Sequence, residues 1–324
     1  MRAQRGSSLA ALGVMTVMTL MAVGGCRSDR PAAAPLTTAA LTQDSVRPQE
    51  PHRIREVTGL SHPESARYDP ELDLWFVANI NGDPLAKDNN GFITRLKSDG
   101  SIGVLKFAEG GRNGVRLNGP KGMAIVGDTL WVADIDAVRG FNRRTGAEVA
   151  SVSLSGQAKF LNDIAAGPDG IYVTDTGIGP DGKGGMKHTG PDRVFRIDRS
   201  HKVSIALQSD SLKGPNGITW DSTGHRFIIV PFFGSTPLSW APGDAAPRSL
   251  GTAPGQEDGV EAVGPDRFLI TSWADSSLFV LAQGQATKVA APLPSPADIG
   301  WDSRRHRVAV PLLLEDRVEI WGLP

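Results

Sequence analysis

Cysteine is almost absent from this sequence, with one residue among 324. A disulfide within the chain is therefore excluded, and so is a zinc cluster built from cysteines. The sequence also lacks a basic excess, since 34 Lys and Arg face 35 Asp and Glu, and this argues against a nucleic-acid partner. No long segment has the 3.6-residue hydrophobic period of an amphipathic helix. No Gly-x-Ser-x-Gly motif supports a serine hydrolase.

Turn-forming residues are plentiful, with 38 glycines and 23 prolines. This composition favours many short strands joined by turns. Hydrophobic residues make up 40% of the chain, which is enough to bury a large core. The sequence therefore predicts a soluble all-β protein.

The first 25 residues are typical of a bacterial lipoprotein signal peptide. Arg2 and Arg5 precede an uncharged apolar run, and small residues come directly before Cys26, the sole cysteine. A plain secretory peptide with an accidental cysteine is the alternative. We expect lipidation at Cys26, and a flexible Ala/Pro-rich tether over residues 26–52. Membrane contact would then be through the lipid alone: at the outer membrane or periplasm of a Gram-negative cell, or the outer leaflet of a Gram-positive plasma membrane.

Residues 53–324 contain a sixfold repeat. Each copy has a turn, an apolar strand, a Gly/Asp/Pro turn and a second strand, and most copies supply two more. The second residues of the copies are 64, 121, 162, 216, 258 and 297. A spacing of this order matches four-stranded propeller blades. We predict an all-β six-bladed β-propeller in which the N-terminal strand, residues 53–57, completes the last blade and closes the ring.

Two long insertions, residues 79–91 and 176–192, are predicted between the second and third strands of blades 1 and 3. Such loops lie on the same face as the turns that lead into the first strands. Binding residues concentrate in long loops of this kind.

The first strands line the channel of a propeller, so the side chains where they begin are expected to meet on its axis. Four of them carry oxygen ligands suited to Ca²⁺, or to Mg²⁺ or Mn²⁺. No histidine occupies these positions, which disfavours zinc. Asn and Asp residues that merely cap turns are the alternative. The six residues, in order, are Glu64, Lys121, Asn162, Asn216, Asp258 and Ala297.

These motifs resemble those of the regucalcin/gluconolactonase family, TolB-like six-bladed propellers related to paraoxonase and diisopropylfluorophosphatase. The resemblance implies an axial divalent cation held by Glu64, Asn162, Asn216 and Asp258, with Asp258 also acting as general base. The first-blade motif differs from the family's usual Gly-Glu-Gly-Pro, and the adjacent histidines of paraoxonase are missing. The resemblance therefore bears more on the metal site than on the substrate.

Two classes of function remain open. The first is a metal-dependent hydrolase of lactones or related esters, in which Lys121 either assists catalysis or forms a salt bridge with Glu64 or Asp258. The second is a non-catalytic, envelope-tethered propeller that binds a small ligand, a sugar or a protein. A quinone-dependent dehydrogenase is less favoured, because no axial histidine is predicted. We expect a monomer whose small-molecule pocket includes His188, Phe232, Phe233 and Trp273, although His188 also fits an exposed loop residue.

Overall fold

The computed structural model describes residues 50–183 and 185–324. The predicted signal peptide, Cys26 and nearly all of the predicted tether lie outside the described residues. Within the part of the chain that is described, no helix is long and apolar enough to cross a membrane. Its regular structure consists of strands and two short 3-10 turns, Asp210–Leu212 and Leu313–Glu315.

The first three blades are antiparallel four-stranded sheets in which consecutive strands pair. Blade 1 contains β2 (Pro63–Asp69), β3 (Leu74–Asn79), β4 (Phe92–Lys97) and β5 (Ile102–Glu109). Blade 2 contains β6 (Pro120–Val126), β7 (Thr129–Asp134), β8 (Ala137–Asn142) and β9 (Glu148–Ser153). Blade 3 contains β10 (Leu161–Ala166), β11 (Gly170–Asp175), β14 (Arg193–Asp198) and β15 (Val203–Gln208), and its long loop forms a separate hairpin of β12 (Ile178–Pro180) and β13 (Met186–His188).

The last three blades follow the same order. Blade 4 contains β16 (Pro215–Asp221), β17 (Arg226–Pro231), β18 (Leu238–Trp240) and β19 (Arg248–Ser249). Blade 5 contains β20 (Glu257–Gly264), β21 (Arg267–Ser272), β22 (Ser277–Ala282) and β23 (Gln285–Ala290). Blade 6 contains β24 (Gly300–Asp302), β25 (Arg307–Leu312), β26 (Arg317–Gly322) and the N-terminal β1 (His52–Val57).

Ring closure occurs through the first strand of the described chain. β1 pairs antiparallel with β26, so that Val57 is opposite Val318 and His52 is opposite Gly322. Arg53 donates a 2.8 Å hydrogen bond to Glu319 across the pair. The outer edge of β26 is therefore covered, which removes an edge that could pair with another chain. The predicted six-bladed fold and its closing strand are both confirmed.

The hydrophobic core lies between adjacent blades. Tyr172 of blade 3 packs on Phe227 of blade 4, with ring centroids 4.3 Å apart. Between blades 2 and 3, Trp131 belongs to the same buried cluster as Ile171 and Phe195. Because each blade buries apolar side chains against both neighbours, the first strands are held around a common axis.

One face of the ring, here called the upper face, carries the turns into the first strands and the loops between second and third strands. Alternating strand direction within each blade places both sets of loops at this face. The blade 1 loop of residues 80–91 and the blade 3 loop of residues 176–192 therefore lie on the same side as Glu64. The hairpin inside the second loop was not predicted, because its three-residue strands give too short a pattern to recognise.

Candidate functional site

A β-bulge stands at the start of the first strand in each of blades 1 to 5. The pairing register shifts between Pro63 and Ser65 in β2, and corresponding shifts occur in β6, β10, β16 and β20. A bulge bends the strand and leaves a residue outside the ladder. In this fold the irregular step coincides with the five polar residues that the sequence places on the axis: Glu64, Lys121, Asn162, Asn216 and Asp258.

Threonines of the second strands fix these bulged segments to the next blade. Thr174 Oγ1 accepts the N–H of Asp163 at 2.9 Å and donates to the carbonyl of Asn216 at 2.6 Å. Thr271 repeats the device by accepting the N–H of Gly259 and donating to the carbonyl of Ala297. Because each hydroxyl joins two blades, neighbouring axial residues have a defined separation.

The two axial amides have their orientation set by neighbouring groups. Thr176 Oγ1 donates to the carbonyl of Pro215 at 2.8 Å, so it can only accept from the Asn162 side-chain N–H, which lies 3.1 Å away. The side-chain hydrogen bond from Asn216 lowers the pKa of Asp258, as a donor does, and Asn216 Oδ1 has no partner. Both amides therefore use their nitrogen within the protein and keep their oxygen free.

Four buried oxygens of these residues have no hydrogen-bond partner among the described residues. They are Glu64 Oε2, Asn162 Oδ1, Asn216 Oδ1 and Asp258 Oδ1. Burial of an unpartnered polar atom is costly, so each such atom needs a physical explanation. Two carboxylate and two amide oxygens are the donor set that a hard divalent cation prefers. The residues present thus fit an axial cation of this kind.

The electrostatics of the two axial carboxylates favour the same ligand. Burial raises the pKa of Glu64 well above its usual range, and the nearby charge of Asp258 raises it further, whereas Lys121 acts in the opposite direction. Burial also raises the pKa of Asp258, with a contribution from Asp298, while hydrogen bonds from Trp273 and Asn216 oppose the rise. A cation beside these buried carboxyl groups would offset the cost of ionising them.

Residue types alone do not reveal this arrangement. Within residues 50–183 and 185–324, no group of three or more His, Cys, Asp or Glu side chains has a metal-binding arrangement. The axial set has only two carboxylates, and its other two oxygens come from asparagines. It is therefore recognised from its unpartnered oxygens and not from a cluster of acidic or histidine side chains.

Lys121 is buried, but its ammonium is bonded away from the axial oxygens. Its Nζ donates to the carbonyl of Gly119 at 2.9 Å and to that of Pro84 at 3.5 Å. The same nitrogen lies 4.3 Å from the ring centroid of Phe160. Burial lowers the pKa of Lys121, and the charge of Glu64 opposes that shift. In this conformation Lys121 interacts with Glu64 through long-range electrostatics and not through a hydrogen bond.

A second layer of polar residues lies below the axial residues, and the sequence analysis did not predict it. Ser65 Oγ donates to Asp298 Oδ2 at 2.5 Å, and Asp163 Oδ2 accepts the N–H of Ile218 at 2.7 Å. Arg67 pairs with the buried carboxylate of Glu261. Asp163 and Asp298 each directly follow a repeat position, Asn162 and Ala297, so the repeat itself contained the signal.

The predicted pocket residues come together on the upper face. His188 stacks on Phe233 at 4.7 Å, Phe233 contacts Phe232 at 5.4 Å, and Phe232 contacts Trp273 at 5.8 Å between ring centroids. Trp273 Nε1 then donates to Asp258 Oδ2 at 2.9 Å. These four rings, here called the aromatic row, form a continuous path from the blade 3 hairpin to the axial carboxylate.

A groove of about 550 Å³ lies elsewhere, beside the outer strands of blades 1 and 2. Its walls include Lys106 and Arg112, which both form ion pairs with Glu109. No axial residue lines it. The candidate site is therefore the axial region, where buried oxygens lack hydrogen-bond partners, together with the aromatic row.

Solved structures with the same fold include several enzymes. A protein provisionally named a gluconolactonase has 15% identity and a TM-score of 0.61, covering 85% of this chain and 92% of its own. A gluconolactonase from Xanthomonas campestris has 15% identity and a TM-score of 0.59, covering 84% of this chain and 91% of its own. A streptogramin B lyase has 11% identity and a TM-score of 0.57, covering 85% of this chain and 97% of its own.

These likenesses establish a shared fold with gluconolactonase propellers. They leave the reaction open, since a lyase shares the architecture and a fold does not determine its chemistry. No family model matches the chain, and no curated protein matches it.

Proposed function

We propose that this protein is a metal-dependent hydrolase of lactones or related esters. The observation that carries the proposal is the set of four buried, unpartnered oxygens on Glu64, Asn162, Asn216 and Asp258. These residues would hold one divalent cation, with Ca²⁺ favoured and Mg²⁺ or Mn²⁺ as alternatives. The fold shared with gluconolactonases is in keeping with this chemistry.

A bound divalent cation would polarise the carbonyl of the substrate as a Lewis acid. The chain's own contribution centres on Asp258, whose carboxylate accepts the proton of the water that adds to the carbonyl. Trp273 fixes the rotation of that carboxylate through Oδ2, so Oδ1 keeps its axial position. The ester C–O bond then breaks as Asp258 returns that proton to the leaving alkoxide oxygen, and a lactone opens to a hydroxy acid. Lys121 places positive charge next to Glu64.

Metal binding provides the direct test. The protein is treated with EDTA, dialysed free of chelator and titrated with Ca²⁺, Mg²⁺ and Mn²⁺ by isothermal calorimetry. We expect one site in the wild type and its loss in Glu64→Gln and Asp258→Asn. Asp266→Asn is the matched control, because Asp266 is an exposed carboxylate paired with Arg226.

Activity is then measured on a panel of lactones and esters with and without the bound cation. Turnover that disappears with EDTA and returns with the metal supports the hydrolase. Metal binding without turnover across the panel would instead favour the non-catalytic, ligand-binding alternative. Absence of any metal binding would overturn the metal-dependent mechanism.

The cellular location is a separate proposal that depends on Cys26. Lipidation there would tether the propeller to the cell envelope as a monomer. Metabolic labelling with a palmitate analogue tests it, since Cys26→Ser should abolish both the label and sedimentation with membranes. Unchanged sedimentation of the variant would overturn lipid anchoring.

A further inference from the structure

We propose that the aromatic row is a ring-binding subsite that selects lactones or esters carrying an aromatic or similarly flat apolar group. This inference rests on the proposed hydrolase function and names its class of substrate. It is carried by the contacts from His188 to Trp273 and by the link from Trp273 to Asp258.

The first argument is position. A group packed against Phe232 and Trp273 lies one hydrogen bond away from the axial carboxylate, because the Trp273 indole N–H is bonded to Asp258. The ring-bearing end of a substrate and its reacting carbonyl can therefore be held at adjacent places. Binding energy from such a non-reacting group can be used to orient the reacting one.

The second argument is preorganisation. The buried carboxylate of Asp192 holds His188 Nε2 at 2.6 Å and also accepts the N–H of Gly214 at 2.9 Å. The backbone N–H groups of Phe232 and Phe233 donate to the carbonyls of Gly214 and Lys213. Since the row is ordered before a ligand arrives, little conformational entropy is lost on binding.

The third argument is the chemistry that the row offers. Phe233 is 44% exposed, so part of its ring is open to a ligand on the upper face. The Trp273 N–H is used by Asp258, and one His188 nitrogen is used by Asp192. The row thus presents ring faces and edges more than hydrogen-bonding groups, which suits a flat apolar group better than a polyhydroxylated one.

The opposite side of the upper face has a different character. The blade 1 loop carries Asp83, Lys87 and Asp88, and Lys87 pairs with Asp136 of blade 2 at 2.6 Å. A substrate with an apolar ring at one end and a polar carbonyl at the other matches this asymmetry. Orientation is then set by which end meets the aromatic row.

The kinetic test compares γ-phenyl-γ-butyrolactone with γ-methyl-γ-butyrolactone, which both open to a secondary alcohol. In the metal-loaded wild type we expect kcat/KM to be about tenfold higher for the phenyl compound, the size of one good aromatic contact. Phe232→Leu keeps an apolar side chain but removes the ring that contacts both Phe233 and Trp273, and it should bring the ratio close to one. Leu314→Ala, which truncates an exposed apolar residue of blade 6 on the same face, should keep the ratio.

A binding test separates this subsite from catalysis. Calorimetry with 5-phenyl-2-pyrrolidinone and 5-methyl-2-pyrrolidinone uses lactams that resist hydrolysis. Tenfold tighter binding of the phenyl lactam, lost in Phe232→Leu, supports the subsite even if no lactone is turned over, in which case the proposed hydrolase fails alone. Equal affinities for the two lactams, or a preference that survives Phe232→Leu, would overturn the subsite.

Discussion

The indole N–H of Trp273 and the carboxylate of Asp258 form a 2.9 Å hydrogen bond that joins the second blade-5 strand to the first. Trp273 stands just after β21 and Asp258 near the start of β20. A loop residue of the upper face therefore fixes an axial side chain. This relationship makes Trp273 a positioning residue with a measurable role.

Trp273→Phe keeps a ring but removes the hydrogen bond. We expect metal affinity or kcat to fall about tenfold. This is the lower end of the losses that follow when a group that orients a metal ligand is removed. Calorimetry and lactone kinetics measure the two effects. Trp240→Phe is the control. Trp240 lies on the third strand of blade 4, and its indole N–H donates to the carbonyl of Asp244, so this variant also loses one indole hydrogen bond. Equal losses in both variants would show that Trp273 has only a structural role.

The pH dependence of stability should report on Glu261. Burial raises the pKa of Glu261 from 4.5 to about 7, although the guanidinium of Arg67 opposes the shift. A carboxyl whose pKa is higher in the folded state contributes stability below pH 4.5. That contribution is lost as the pH rises through 7, because the unfolded chain releases its proton first.

Glu261→Gln removes this titration. Between pH 4.5 and 8, the free energy of unfolding of the variant should therefore rise relative to that of the wild type by up to about 3 kcal/mol. Urea unfolding at several pH values measures the difference. Glu315→Gln changes an exposed carboxylate and should follow the wild type in parallel. If the wild type instead gains stability relative to Glu261→Gln as the pH rises, Arg67 keeps Glu261 ionised in the folded protein.

Gly122 should tolerate no side chain. A Cβ added there would lie 2.1 Å from Asp163 Oδ1 and 2.4 Å from Asp163 Cα, so blades 2 and 3 would have to separate at the axis. We expect Gly122→Ala to lower the free energy of unfolding by about 2–3 kcal/mol. Gly264→Ala is the control, because its nearest contact would be an ordinary 3.8 Å. Equal melting temperatures would contradict the close approach.

The closing strand should protect the edge of β26 from pairing with another chain. A chain that begins at residue 58 lacks β1 and exposes the edge of β26. It also leaves the buried carboxylate of Glu319 without Arg53. Compared with a chain that begins at residue 47, we expect a lower melting temperature and association through the free edge. Size-exclusion chromatography and thermal unfolding measure both, and identical behaviour of the two chains would show that β1 is dispensable.

The fold was predictable because it repeats. Each blade restates the same strand and turn pattern, so weak local signals reinforce one another across the chain. The closing strand followed from a simple count, since the sixth copy ends one strand short and residues 53–57 precede the first. The three-residue strands around Pro180 and His188 gave no such reinforcement.

The repeat predicts that polar residues stand at the starts of the first strands, and the structure has them there, but their contacts could not be predicted. An alternating strand places every second residue inward, so Asp163 and Asp298 were overlooked beside their neighbours. At Asp163 the bulge of β10 changes that alternation, and it is visible only in the pairing. Asp298 lies ahead of β24 (Gly300–Asp302), so no strand alternation applies to it. The contacts of Lys121 with Pro84 and Phe160 join distant parts of the chain. Such contacts follow from how the loops of the upper face pack, which a repeat does not encode.

Closure of the ring by β1 also has a kinetic consequence. Arg53 and Glu319, which meet across the closing pair, are 266 residues apart in the chain. Contacts between such distant residues must overcome a large loop-closure entropy, and they slow folding. The first strand of the propeller, β1, can therefore pair only when the last strand, β26, is present. Five blades can assemble from neighbouring segments, whereas the sixth can form only after the whole propeller sequence is available.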